Sequence, residues 1–326
     1  MSNKKILSLR GNNKPNKKDK PFKRERLSNL RLFASAYAEG YYIIQNLLDH
    51  VINFHETNLI GQKYLPSRMK EYKGQKKLAF LYHGYFQGTV GYERLERILE
   101  SDLFNIFAVS GTYQPYSQDI RKSAEYEMRV LEWVLNNTDV EEVYLIGHSQ
   151  GGLVVRYMIQ FLGADKYVDK AIFLSTPHRG TKIAYASGVN KLSMNVLSRI
   201  LPNFKKIEGE SGKQLRPNSQ FIRRLNSKNL PKNVDYTSIY TYIDPIVWPA
   251  SNARLPYREA NNILLRKIGH MQTLYDFQAI ELILKTILLG KPFNDINSEG
   301  NHKSGELYEK RNIKRGYSEF NEFVTY

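Results

Sequence analysis

One serine in this chain is framed by what nucleophilic catalysis needs: Gly147-His148-Ser149-Gln150-Gly151, a G-x-S-x-G pattern. In such a pattern a strand turns into a helix so sharply that the serine is held in a strained backbone conformation with its oxygen exposed. Glycines two residues to either side leave room for the chain to pass. The pattern alone occurs by chance, but its surroundings are specific. Glu142–Ile146 (EVYLI) reads as an apolar strand before it, and Leu153–Phe161 as an apolar helix after it. The amides at that helix start would stabilise an oxyanion beside Ser149, with the Gln150 N–H as one donor.

A serine hydroxyl needs a base, and the base needs an orienting carboxylate. On a strand–turn–helix frame the partners follow in the order serine, acid, histidine. Three histidines lie beyond Ser149: His178, His270 and His302. His178 comes too early and His302 falls in a polar tail, so His270, after NILLRKIG and before the closing helix, is the expected base. The acid must end a strand between Ser149 and His270. Asp244, after TSIYTYI and before PIVWP, fits best, the alternative being a turn-forming Asp-Pro; Asp165, Asp169, Asp235, Glu208 and Glu210 stand at less suitable places. The second oxyanion donor should come from the loop after an earlier strand, His83 to Gly88. Tyr85 N–H is the first candidate there and Phe86 the second, with His83 read as a structural imidazole.

These residues demand a parallel sheet to hold them. Apolar strands are expected at Lys77–Tyr82, Asn105–Ser110, Glu142–Ile146, Ala171–Leu174, Tyr236–Tyr242 and Asn262–Lys267. Helices are expected at Tyr92–Leu99, Asp119–Leu135, Leu153–Phe161 and Thr273–Leu289. Strands alternating with helices mean a doubly wound α/β sheet covered on both faces. The segment 181–235 interrupts that rhythm and has helical spacing at Leu192, Val196 and Ile200; a connection so long is commonly a lid. The expected organisation is a basic tail over 1–27, a helix and linker over 28–60, a catalytic domain over 61–290 and a polar tail over 291–326. The 28–51 helix would pack on its own domain or serve as a surface anchor.

The chain has 326 residues, 41% of them apolar and 12% aromatic, enough for a large core. It has no cysteine, which excludes disulfides, thiolate metal sites and a cysteine nucleophile. No apolar run long enough for a signal peptide follows the charged N-terminus, and none approaches a transmembrane span. The expectation is a cytoplasmic protein, peripheral at a membrane if it touches one. The net charge of +16 is concentrated in residues 1–26, with ten Lys/Arg and two Asp/Glu, and in 181–235, with eleven and three. A basic amphipathic lid would suit an anionic lipid surface, the plainer reading being a solvated cap over the site. Nucleic acid is not an expected partner, since no aromatic–basic interleaving of a known module occurs.

Together the segments LYHGYFQG (81–88), VYLIGHSQGGLVVRY (143–157), FLSTPHRGT (173–181), YIDPIVWPASNARLP (242–256), LRPNSQFIRRLN (215–226) and IGH (268–270) resemble bacterial lipases and esterases of the α/β-hydrolase superfamily. In order, the resemblance implies an oxyanion loop, nucleophile elbow, post-strand loop, acid loop, end of the lid and base. It covers most of 77–290 and implies hydrolysis of carboxylic esters, such as lipid or acyl esters, without cofactor or catalytic metal. Some bacterial relatives hold a structural calcium between acidic loops near the base; Asp276 alone is a weak counterpart here. An acyltransferase or thioesterase would use the same triad, and a non-catalytic membrane-binding protein would need the triad broken.

Overall fold

Six apolar runs become six strands, and every adjacent pair runs parallel. The computed structural model describes residues 65–85, 89–111, 119–185 and 210–289, with Tyr37 and Tyr41 besides. The expected tails at 1–27 and 291–326, nearly all of the 28–60 segment, Phe86 and residues 186–209 of the 181–235 insertion lie outside the described residues. The strands are β1 (Lys77–Tyr82), β2 (Ile106–Ser110), β3 (Glu142–His148), β4 (Lys170–Leu174), β5 (Asp235–Thr241) and β6 (Asn261–Leu265). Their order in the sheet is β2-β1-β3-β4-β5-β6. The chain moves outward from β1 to β2, then returns to lay β3 on the other side of β1. That reversal makes a crevice between the carboxyl ends of β1 and β3, where open parallel sheets place their sites.

Side chains alternate across each strand and sort the core into two layers. Leu78, Phe80, Tyr82, Val143, Leu145 and Phe173 face one way. There they meet α2 (Ile120–Asn136) and α3 (Gln150–Phe161). Ala79, Leu81, Tyr144, Ile146, Ile172 and Leu174 face the other. Those pack on α1 (Glu93–Leu99) and α6 (Phe277–Leu289). Helix α2 starts where Asp119 accepts the Arg121 amide as an N-cap.

Two expectations need correction. The closing helix does not run from Thr273: Met271–Leu274 forms a separate tight turn and α6 begins at Phe277. The break has a local cause, because Thr273 Oγ1 donates to the His270 carbonyl (2.8 Å) and the Asp276 carboxylate accepts the Gln278 amide (2.8 Å). Second, the end of the 181–235 insertion is part of the body. Helices α4 (Glu210–Gln214) and α5 (Gln220–Ser227) bury Leu215, Phe221, Ile222 and Leu225 in the same layer as α3. Among the described residues no helix is long and apolar enough to cross a membrane.

Candidate active site

Ser149 stands between β3 and α3 with φ 52° and ψ −121°, a conformation that costs a non-glycine residue on the order of 1–3 kcal/mol. Close approach on every side maintains it. The Ser149 amide donates to the Leu174 carbonyl of β4 (2.8 Å), and the Gly152 amide donates back to the Ser149 carbonyl (3.2 Å). A Cβ on Gly151 would stand 2.0 Å from the Tyr82 carbonyl oxygen and 2.6 Å from that of His83. The elbow is therefore pressed against the chain that leads into Tyr85, and only hydrogen fits between them. Gly147 and Gly152 face each other in the same way, a Cβ on the first falling 2.5 Å from the second's Cα. Gly152 was not among the expected site residues. The doubled glycine of GHSQGG was its signal, since Thr176, after β4, occupies the space a side chain there would need.

Asp244 and His270 come together although 26 residues separate them. The His270 Nδ1–H donates to Asp244 Oδ2 at 2.9 Å, and both side chains are buried. The other carboxylate oxygen accepts the amides of Ile246 (2.9 Å) and Val247 (2.7 Å). Backbone amides thus satisfy one side of the carboxylate and leave the other to the imidazole. His270 Nε2 is then the nitrogen that can take a proton. Because β3, β5 and β6 are parallel, Ser149, Asp244 and His270 follow their strands at the same end of the sheet.

His148 links the elbow to His270. Its ring packs edge-on against His270, with centroids 4.7 Å apart. Its Nε2 lies 3.1 Å from the His270 carbonyl. A carbonyl only accepts, so Nε2 carries the proton. Burial, with the neighbouring His270, pushes the His148 pKa well below the usual imidazole range. A neutral ring there leaves room for positive charge on His270. Tyr92 adds a tie that nothing in the sequence pattern announced. Its phenol donates to the Tyr82 carbonyl (2.8 Å) and accepts the His148 amide (3.0 Å), joining β1 to the elbow.

The STPHRGT loop after β4 is tied to the loop that carries Asp244. Thr181 Oγ1 donates to the Ile246 carbonyl (2.7 Å) and accepts the Trp248 amide (3.0 Å), and Asn252 Nδ2 donates to Gly180 O (2.9 Å). His178 is buried against Phe173, and burial, with Arg156 adding to it, holds its pKa well below normal. His83 Nδ1 lies 3.3 Å from the Gly84 carbonyl. Arg156, fully buried on α3, donates to the Leu225 carbonyl, the Asn226 side chain and the Tyr257 hydroxyl at 3.0–3.1 Å. Burial lowers its pKa to about 10. It fastens the end of the insertion to the elbow helix, and its signal was a charge inside an otherwise apolar helix. Tyr85 is half-buried, and a Cβ on Gly212 of α4 would stand 3.4 Å from its hydroxyl. Among the described residues no group of three or more His, Asp or Glu side chains could hold a metal ion.

With this geometry in hand, comparison with known proteins is decisive. A family model described as palmitoyl protein thioesterase matches residues 80–251, more than half of the chain. The chain belongs to that family. The match takes in Ser149 and Asp244 and ends before His270. Among solved structures, lipase B of Aspergillus fumigatus is 20% identical, with a TM-score of 0.52 over 66% of this chain and 53% of that one. The likeness establishes the α/β-hydrolase fold, and the matched part spans about half of the Aspergillus chain. The mature Bacillus licheniformis lipase BlEst2 is 17% identical, with a TM-score of 0.49 over 67% of this chain and 93% of that one. No curated protein gives a significant sequence match.

Proposed function

We propose that this protein is a serine hydrolase of acyl esters working through Ser149, His270 and Asp244. Membership of a thioesterase family supports hydrolysis of esters in general. It also favours a thioester of a fatty acyl group as one form of the substrate. The observation that carries the reading is the buried His270–Asp244 pair, 2.9 Å apart, at the same end of the sheet as the strained Ser149.

In the proposed cycle His270 Nε2 takes the Ser149 hydroxyl proton as the oxygen attacks the acyl carbonyl. Asp244 holds the imidazole in the required tautomer and stabilises the imidazolium. The amides of Gln150 and Tyr85 hold the oxyanion, the former at the start of α3. The proton then passes from His270 to the leaving alcohol or thiol, and a water molecule activated by His270 releases the acid from Ser149. We assign substrate selection to the 181–235 insertion.

Ser149→Ala tests the assignment. Hydrolysis of a chromogenic acyl ester should fall by on the order of 10⁶-fold, and labelling by a fluorophosphonate should disappear, while the circular dichroism spectrum stays unchanged. Turnover retained in a folded Ser149→Ala protein would overturn it. Comparing an oxyester with the thioester of the same acyl chain separates the two substrate forms.

A further inference from the structure

Three loops surround the carboxyl end of the sheet: 179–185 after β4, 242–256 after β5, and 266–270 after β6. They expose large apolar side chains where a water-facing surface would not need them. Tyr242, Trp248, Tyr185, Ile183 and Ile243 are between 38% and 64% exposed. Hydrogen bonds from Lys182 N to Trp248 O (2.9 Å) and from Tyr242 N to Leu265 O (2.8 Å) bind the loops into one surface.

Cations accompany these rings. Lys182 Nζ lies 4.7 Å from the Trp248 ring centre, the Arg216 guanidinium 5.7 Å from that of Tyr185, and the Arg266 guanidinium 6.0 Å from that of Tyr242. The loops also carry Arg179, Arg254 and Lys267, all exposed, and their only carboxylate is Asp244, buried against His270. An aromatic face attracts a cation without cancelling its charge, so the surface stays both apolar and positive. Amphipathic rings beside long cationic side chains suit the boundary between lipid headgroups and acyl chains.

We propose that this face docks the protein on an anionic lipid surface, with Ile183, Ile243 and the aromatic rings entering between headgroups and the cations meeting lipid phosphates and carboxylates. Charge selects this occupant over the chain's own adjoining segment. Residues 186–209 carry Lys191, Arg199, Lys205 and Lys206 against Glu208 alone, the same sign as the face. The surface lies at the end of the sheet that holds Ser149, so docking turns the site toward acyl chains. The proposal rests on the acyl-ester reading for what the membrane supplies, and its test does not need that reading to hold.

The chain has two tryptophans, and the other, Trp133, lies near the end of α2 that leads into β3, away from this face. The full-length protein carrying Ser149→Ala and Trp133→Phe therefore reports from Trp248 alone and hydrolyses nothing. It is mixed with vesicles of phosphatidylcholine alone, or of phosphatidylcholine with one-third phosphatidylserine, at low and high salt. Trp248 emission should move to shorter wavelength and be quenched by brominated acyl chains only with the anionic vesicles at low salt. Adding Lys182→Gln and Arg266→Gln should weaken binding by on the order of thirtyfold, from roughly fivefold per cation. In the Ser149 protein the same pair should leave hydrolysis of a soluble short-chain ester unchanged, which checks folding. Binding without a Trp248 response would locate the contact elsewhere on the chain and overturn the proposal. So would equal binding to neutral vesicles, no binding, or a Trp248 response to polyglutamate in place of vesicles.

Discussion

The two ends of the sheet handle charge differently. At the amino end lysines meet carboxylates: Lys76 with Glu141 (3.1 Å), Lys77 with Glu142 (3.3 Å) and Lys170 with Asp235 (3.7 Å). At the carboxyl end Lys182 and Arg266 meet aromatic rings, while Asp244 is reserved for His270. Strain divides the same way. Ser149 and Ser175 take positive φ just after β3 and β4, whereas before β2 it is Asn105, a residue type that tolerates it. All four described histidines also end or follow strands at the carboxyl end. One end is built for neutralised, unstrained turns. The other holds strain and cations set against aromatic rings, beside the buried His270–Asp244 pair.

The contrast can be broken in order of expected effect. Asp244→Asn should lower kcat for an acyl ester by on the order of 10³–10⁴-fold, because the imidazole loses the partner that fixes its tautomer. A fall of less than tenfold would mean another carboxylate does the work. Gly151→Ala drives a Cβ into the Tyr82 carbonyl and should cost at least about 3 kcal/mol in denaturant unfolding. Gly163→Ala, near the amino end with φ 81° and its nearest neighbour at 3.7 Å, should cost only the left-handed penalty, about 1–2 kcal/mol. Equal losses at the two glycines would remove the argument from close approach.

pH sharpens the comparison. His148 and His178 are held neutral in the fold, their pKa values pushed below the ordinary 6.5 by burial. The unfolded chain therefore binds more protons below pH 6.5, and stability present above that value is lost as pH falls. Each histidine should contribute about 1.4 kcal/mol per pH unit. Denaturant titrations from pH 7.5 toward 5 read this before ordinary carboxylates protonate, and a flat profile would contradict it. The smallest effect belongs to Asp235→Asn, which breaks a long ion pair at the amino end between an exposed carboxylate and the mostly buried Lys170. It should shift stability by under about 1 kcal/mol and leave turnover untouched; a loss of activity would blur the division between the ends.

Much of the site was legible because its logic is local. GHSQGG needs only a strand before it and a helix after it, and both lie within a dozen residues of Ser149. His270 and Asp244 were readable from chain order, since a parallel sheet returns every strand's carboxyl end to the same side. The sequence alone thus determined the strand–helix alternation, the strained turn at Ser149, and the chain order in which Asp244 and His270 follow it. Other features needed the folded molecule. That Thr176 fills the space beside Gly152, that Tyr92 ties β1 to the elbow, that His148 donates to the His270 carbonyl, and that Trp248 sits under Lys182 all depend on segments distant in the chain meeting at one place. Periodicity reports which face of an element is apolar and motifs report local turns, but neither carries the distance between two loops. The sheet's register sets that distance, and with it the meeting of cations and aromatic rings on the loops at the carboxyl end.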